Sequence, residues 1–412
     1  METEAVLVAL DVGTSKVVAL IGEKTHDGSL NILGKGAPVS AGLKKGVVIN
    51  IDQTVSSIRA AIEQAERLSG YHLQSAFVSV GGSHVESQNT KGAVAVSGPR
   101  KEVSQEDVIR ATEVAQAVSI PSNRQVLHVL HRSFVVDGQE GVDDPIGMSA
   151  VRLEVETHIV HAGATAVQNL SKCVQQAAVR IEQLVAGPLA AAEAVVSDNE
   201  RQLGVAVVDV GAGTTGLALF LDGAPFHTSV LPIGGNNVTN DLAIGLKTSL
   251  QVAEDLKIRH GTADLASVQP EELVTVDTLA EGQARTVQRA ELASIVEARM
   301  RELFEKLGEE IEAAGHGGVL PAGVVLTGGG AQLAGAAELG REVLEMPVRV
   351  AAPIGVGGLT DHLLTPAFST AIGLLRWGAR SIDEEDQQGR YGQGPGSGLL
   401  ARLRDWLRTL FP

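Results

Sequence analysis

A chain of 412 residues with 44% hydrophobic but only 3% aromatic side chains has room for two to four domains, with interiors of Ala, Val, Leu and Ile, the palette of an α/β fold. A formal net charge of −16 excludes nonspecific binding of the body to nucleic acid or to an anionic membrane. The single Cys173 excludes an internal disulfide framework, and neither a basic, then apolar leader nor 18 consecutive apolar residues occurs, so a cytoplasmic chain without a spanning helix is expected.

In chain order, VLVALDVGTSKVVALIGE (Val6–Glu23) reads as a strand, a small-residue turn and a second strand. A helix follows over Asp52–Gly70, with Val55, Ile58, Ile62, Ala65 and Leu68 on one face and Gly70 as its stop. From Ser83 to about His161 the pattern breaks into short strands and one helix, an inserted α+β module within a first domain of 1–82 and 162–200. GATAVQNLSKCVQQAAV resumes that domain as a helix, and GPLAAAEAVVSDNE (Gly187–Glu200) is a small-residue helix leading out of it. LGVAVVDVGAGTTGLALFLDG (Leu203–Gly223) then repeats the first device: Asp209 lies 209 − 11 = 198 positions after Asp11, which predicts a duplicated fold.

The second half divides into 201–225 with 318–381 as its main domain and 226–317 as a smaller subdomain. In that subdomain Gly234–Gly261 and Glu291–Ala314 predict two long helices separated by a strand-poor segment. GVVLTGGGAQLAGAAELGREVLEMPVRVAAP (Gly323–Pro353) reads as strand, triple-glycine turn, helix and strand, and a helix closes the globular part near Ser381. Residues 382–397, charged and glycine-rich, predict a flexible linker spanning roughly 20–25 Å.

Four elements carry chemistry in a fixed order: the Asp11 hairpin, the Asp209 hairpin, EDLK on a helix, and TGGG. Gly13, Thr14, Ser15 and Lys16 would offer backbone N–H groups, hydroxyls and an ammonium to phosphates, and Gly211, Gly213, Thr214 and Thr215 would do so from the opposite side. Asp11 and Asp209 would repel phosphate directly, so their sensible role is to hold a hydrated Mg²⁺. Glu254 and Lys257 fall one helical turn apart on one face, and Gly328, Gly329 and Gly330 let the backbone come close to a ligand.

That order resembles the superfamily of actin, heat-shock chaperones and sugar kinases, in which two related actin-like (ribonuclease H-like) domains close on ATP and Mg²⁺. Within it the chain is similar to the FtsA family of bacterial cell-division proteins nearly from end to end, through ALDVGTSKVVALIGE, QNTKGAVAVSG, IGGNNVTNDLAIGL, AEDLKIRHG, VVLTGGGAQLAG and GLTDHLLTPAFSTAIGLLRWG. The resemblance implies a nucleotide cleft in which Glu254 and Lys257 bracket the adenosine. It further implies a self-associating, filament-forming protein that binds the C-terminal peptide of FtsZ through 226–317 and recruits later divisome membrane proteins. Arg299, beside Met300 and Arg301, is the candidate for the FtsZ contact. Gly187 stands where related ATPases carry a water-positioning Glu, and Ala212 and Gly216 replace a glycine and an acid of the second hairpin. ATP binding with slow hydrolysis is therefore expected. The pilus-assembly relative of FtsA is the alternative.

The chain ends in GLLARLRDWLRTLFP. On a helix Leu399, Leu400, Leu403, Trp406, Leu407, Leu410 and Phe411 form one apolar stripe bordered by Arg402, Arg404 and Arg408. This predicts an in-plane membrane helix over 398–412 that draws on an anionic surface, placing the protein on the cytoplasmic side of the inner membrane.

Overall fold

The computed structural model describes residues 5–391 except 27, 99, 118–119, 280–283 and 316–319. The last segment assigned to a linker, 392–397, and the predicted membrane helix over 398–412 lie outside the described residues.

The apolar runs around Asp11 form the antiparallel strands β1 (Ala5–Val12) and β2 (Val17–Lys24), continued by β3 (Leu30–Gly36) and a small hairpin of β4 (Leu43–Lys44) and β5 (Val47–Val48). Helix α1 (Ile51–Ser69) starts where Asn50 Oδ1 accepts the Gln53 N–H (3.1 Å), and it stops at Gly70, in the left-handed conformation. Its Val55, Ile58, Ala61, Ile62 and Ala65 are buried against the sheet. Strand β6 (Ser75–Val80) then lies parallel to β1.

The chain leaves this unit to build the inserted module: β7 (Glu86–Ala95), α2 (Gln105–Gln116), β8 (Arg124–Val136), β9 (Gln139–Val142) and β10 (Arg152–Gly163). The sheet order is β7-β10-β8-β9, and α2 covers β7 and β10. The wholly buried Asp107 anchors the start of α2. Burial opposes its ionisation, but hydrogen bonds from Ser104 and Ser97 hold its carboxyl well below the usual range. The first unit resumes with α3 (Ala164–Gln176), β11 (Arg180–Ala186) and α4 (Gly187–Val195). The small-residue helix expected over Gly187–Glu200 is interrupted: Ser197 caps a separate α5 (Asp198–Leu203), its hydroxyl accepting the Glu200 N–H.

The second half repeats the plan with β12 (Val205–Val210), β13 (Thr215–Leu221) and β14 (Ala224–Leu231). Every residue of β13 is buried, and both faces of β12 meet apolar layers. The expected boundary between 225 and 226 falls inside β14, because Pro225 to Leu231 continue the register with β13. The first of the two expected long helices is two: α6 (Gly235–Leu246) ends at Lys247, at φ 54°, and α7 (Leu250–His260) starts afresh at the Ser249 cap. The segment expected to lack strands holds the hairpin β15 (Leu273–Asp277) and β16 (Ala284–Gln288), whose alternating Val274, Val276 and Val287 are buried. Then follow α8 (Arg289–Ala313), β17 (Val324–Thr327), α9 (Ala336–Leu344) and β18 (Val348–Val350).

The two principal sheets share one topology. The first runs β11-β6-β1-β2-β3 and the second β18-β17-β12-β13-β14, with antiparallel hairpins on one side and parallel strands on the other. Asp11 faces Val18 across its hairpin as Asp209 faces Gly216 across the other, seven positions on in both.

The end of the chain corrects two expectations. Residues 318–381 do not all belong to the second half: β19 (Val356–Gly358) adds a sixth strand beside β3. The last helix, α10 (Ser369–Tyr391), packs along α4 and the first sheet, burying Ala371, Ile372, Leu374, Leu375 and Trp377 there. The segment expected to be a linker from 382 is helical as far as Tyr391, because Ile382 still rests on the core and Asp383 pairs with Lys24 of β2.

Candidate functional site

The two sheets bring the ends of β1 and β12 to face each other across a cleft. At its floor stand Asp11 and Asp209, each hydrogen-bonded by one hydroxyl: Ser79 Oγ donates to Asp11 Oδ1 (2.7 Å) and Thr370 Oγ1 to Asp209 Oδ2 (2.8 Å). Burial raises both carboxyls, that of Asp209 to about 6, with the neighbouring Asp11 adding to it. Lys16 feels both acids, burial lowers its pKa, and its Nζ lies 3.4 Å from the centroid of the Phe368 ring. Two acids and one ammonium in a half-buried site leave negative charge unbalanced, a donor set suited to a divalent cation.

Above the floor the turns of the two hairpins touch. The Gly13 N–H donates to Lys16 O (3.1 Å) and the Gly211 N–H to Thr214 O (2.9 Å), closing the same turn in each half. A Cβ on Gly213 would come within 2.7 Å of Thr14 Oγ1, so Gly213 is the residue that lets the turns meet. Ser15 is exposed at the rim. Thr215 is a correction: it is wholly buried and its hydroxyl is spent on Ile233 O (2.8 Å), so it has no donor left for a phosphate.

The third wall comes from α6 and α7. Lys257 Nζ donates to Glu254 Oε2 (2.7 Å), Thr239 Oγ1 (3.0 Å) and Gly235 O (3.2 Å), while the Gly235 N–H donates to Gly211 O (2.9 Å). The Glu254–Lys257 pair is thus tied to the second hairpin turn rather than standing alone on a helix surface. The fourth wall is the glycine turn after β17. Gly328 has φ 83°, and a Cβ there would collide with Asp209 Oδ1, so only glycine lets this turn close over the acid. Gly329 is exposed, and Gly330 packs on Val210. The cleft includes a pocket of about 150 Å³ lined by Thr14, Leu43, Lys44, Lys45, Gly213, Asn236, Asn237 and Asn240.

Arg299 lies elsewhere, on α8, and is not an open cation. It bridges α8 to α6 through Nε to Asp241 Oδ2 (2.6 Å) and Nη2 to Asp241 Oδ1 (3.1 Å), and it also pairs with Glu302. Met300, expected beside it on the surface, is buried, and Arg301 pairs with Glu297 and Glu342. Sequence reasoning missed Ser79, Thr370, Phe368 and the Lys44–Lys45 pair. GLKKG and the GGNN that opens α6 were the available signals.

Among proteins of known family, the model described as cell division protein FtsA matches residues 206–373, and that described as the SHS2 domain inserted in FTSA matches 82–161. The cell division protein FtsA of Pseudomonas aeruginosa is 42% identical over 416 residues, covering 100% of this chain and 99% of the relative. The chain belongs to the FtsA family of cell-division proteins. FtsA of Bacillus subtilis is 41% identical, over 92% of this chain and 85% of its own length. Among solved structures, the PilM–PilN type IV pilus biogenesis complex superposes with a TM-score of 0.65 at 16% identity, covering 92% of this chain and 99% of that one. MreB5 of Spiroplasma citri, solved with ADP bound, gives 0.52 at 13% identity over 96% and 100%. These likenesses carry the fold alone, and the fold of this FtsA-family chain is actin-like.

Proposed function

We propose that this chain is an actin-like, ATP-binding cell-division protein. In this reading it self-associates at the cytoplasmic face of the inner membrane, ties FtsZ filaments to that surface through the FtsZ C-terminal peptide, and recruits later division proteins. One observation carries the nucleotide reading: two half-buried aspartates from duplicated strands, each held by one hydroxyl, face one cleft beneath two touching turns. A protein of the same fold, MreB5 of Spiroplasma citri, solved bound to ADP, supports it. Asp11 and Asp209 would hold Mg²⁺ through its waters, and the bound ion would neutralise the phosphates. Gly13, Thr14, Ser15, Gly211, Gly213 and Thr214 would cradle the phosphate chain, and Glu254 and Lys257 would meet the ribose.

Slow hydrolysis follows from what the chain lacks. Gly187 begins α4 with no side chain to orient water, and Gly216 is packed against Pro188, where a Cβ would come within 2.7 Å of the ring. The second carboxylate that related ATPases carry at that position has no space here.

Among the described residues no helix is long and apolar enough to cross a membrane. The amphipathic stretch 398–412 is the proposed attachment, with three arginines worth about 1 kcal/mol each near an anionic leaflet. One tail binds marginally, and neighbours in a polymer would hold one another's tails at the surface. Sedimentation with anionic liposomes tests this: the full chain should pellet, more so with MgATP, and a chain lacking 398–412 should stay in the supernatant. Pelleting of the shortened chain would overturn the membrane reading. FtsZ supplied with the liposomes separates this reading from the pilus-assembly alternative, in which FtsZ would not follow.

A further inference from the structure

The hairpin of β4 and β5 places Lys44 and Lys45 at the mouth of the cleft, beside two of the residues assigned to phosphate. Both lysines are exposed, and both line the pocket that also holds Thr14, Gly213 and Asn236. Their turn is held from three sides. The Gly46 N–H donates to Thr14 Oγ1 (3.1 Å), tying the turn to the first hairpin. Lys45 Cα is 3.0 Å from where a Cβ on Gly213 would stand, bringing it against the second. Gly46, at φ 74°, is backed by Gly82 so closely that a Cβ would come within 2.6 Å of the Gly82 nitrogen. Lys45 itself has φ 50°, a conformation disfavoured for a side-chain-bearing residue. A strained turn kept in place by contacts to both halves points to a positional role for what it carries.

Lys16, the cation expected to meet the phosphates, has its Nζ turned onto the Phe368 ring, 3.4 Å from its centroid, where it feels the charges of Asp11 and Asp209. It sits at the floor of the cleft and not at its outer end. The phosphate chain of a nucleotide would still carry several negative charges at the outer end of the cleft, and the pocket there offers two lysines and three asparagines beside Thr14 and Leu43, without an acid in its lining.

We propose that Lys44 and Lys45 form a phosphate-binding lid, closing on the terminal phosphate of the bound nucleotide from the outer side of the cleft. The inference rests on the nucleotide reading above and adds a subsite to it. The ammonium groups supply charge-assisted hydrogen bonds, and Asn236 and Asn240 at the start of α6 supply neutral donors alongside. Because the lid meets the outer phosphate, it favours ATP over ADP, and adenosine does not feel it.

The test is equilibrium binding of MgATP, MgADP and adenosine to the full chain and to Lys44→Gln, Lys45→Asn and the double variant. Asparagine is chosen at 45 because it tolerates the left-handed backbone. The double variant should bind MgATP about tenfold or more weakly, MgADP less affected, and adenosine as the wild type does. Unchanged MgATP affinity in the double variant overturns the inference. So does an equal loss for all three ligands, which would make the turn a structural support only. If Lys45→Asn lowers the melting temperature, Lys44→Gln alone carries the test, with Lys44→Arg restoring MgATP binding. A wild-type chain that binds neither MgATP nor adenosine defeats the nucleotide reading itself, and the lid with it.

Discussion

In the first half Asp11 takes its hydrogen bond from Ser79, on the neighbouring strand of its own sheet, whereas Asp209 in the second half takes it from Thr370, on a helix that packs against the other half. The strands themselves are equivalent: Ala9 pairs with Phe77 and Leu10 with Val78, as Val207 pairs with Val325 and Val208 with Leu326. One step further, Ser79 corresponds to Thr327. Yet the Thr327 hydroxyl turns away from the acid, to Ala351 O (3.0 Å) and Ser369 Oγ (2.6 Å). Duplication preserved the position of the carboxylate and the C-terminal helix took over its support. The segment proposed to reach the membrane continues from that same helix, so a displacement of α10 would act on a cleft carboxylate directly.

The comparison breaks most sharply if either acid proves dispensable. Asp11→Asn and Asp209→Asn should each weaken MgATP binding by about 100-fold while adenosine binding persists, measured by titration calorimetry. The next effect separates the two halves. Ser79→Ala and Thr370→Val each remove a hydrogen bond to a charged group and should cost about tenfold in MgATP affinity. Only Thr370→Val should also change liposome sedimentation, because only that hydroxyl lies on α10. Equal behaviour of the two variants on liposomes would leave the asymmetry without consequence.

The pH dependence is smaller and has a definite sign. Asp209, at about 6 in the folded chain against an ordinary 3.8, is ionised against the penalty of burial, so metal-free stability should fall as pH rises from about 3.8 to about 6 and level off above. MgATP affinity should rise through the same upper limit as the carboxylate charges. Asp209→Asn should flatten the melting-temperature profile in that window, leaving the contribution of Asp11. The smallest effect belongs to the α6–α8 bridge. Arg299→Ala should lower stability by about 1 kcal/mol and the melting temperature by about 2 °C. Charge reversal at Arg299 would set a carboxylate beside Asp241 and Glu302, so any loss of FtsZ-peptide binding counts only if the melting temperature is matched by a control variant.

The periodicity of strands and of α1, the repeat of Asp11 at Asp209, and the break in pattern at the inserted module were all legible, because each follows from local alternation of apolar residues or from turn chemistry. What lay beyond reach was long-range. Nothing local in VGGLTDHLLTPAFSTAIGLLRWG says that β19 pairs with β3 or that α10 returns to the first half, since those choices depend on which face is left uncovered. The hairpin of β15 and β16 was missed because each strand is only five residues long and turns no more than two valines inward, Val274 and Val276 on one and Val287 on the other. In the site, residues on the duplicated motifs were found by repeat. Thr370 and Lys45 were not, because a hydroxyl on a distant helix and a turn lysine reach the cleft only when the chain closes. Thr215 was misread for the same reason: its hydroxyl belongs to Ile233 O once β13 is buried.

The central claim is that the two halves close on one metal-bound nucleotide, and binding of ATP to the wild-type chain in Mg²⁺ and in EDTA tests it most directly. One site per chain is expected, with affinity at least about tenfold higher in Mg²⁺, because Asp11 and Asp209 repel phosphate unless a cation stands between. Equal affinity in both conditions, or no binding in either, would contradict it.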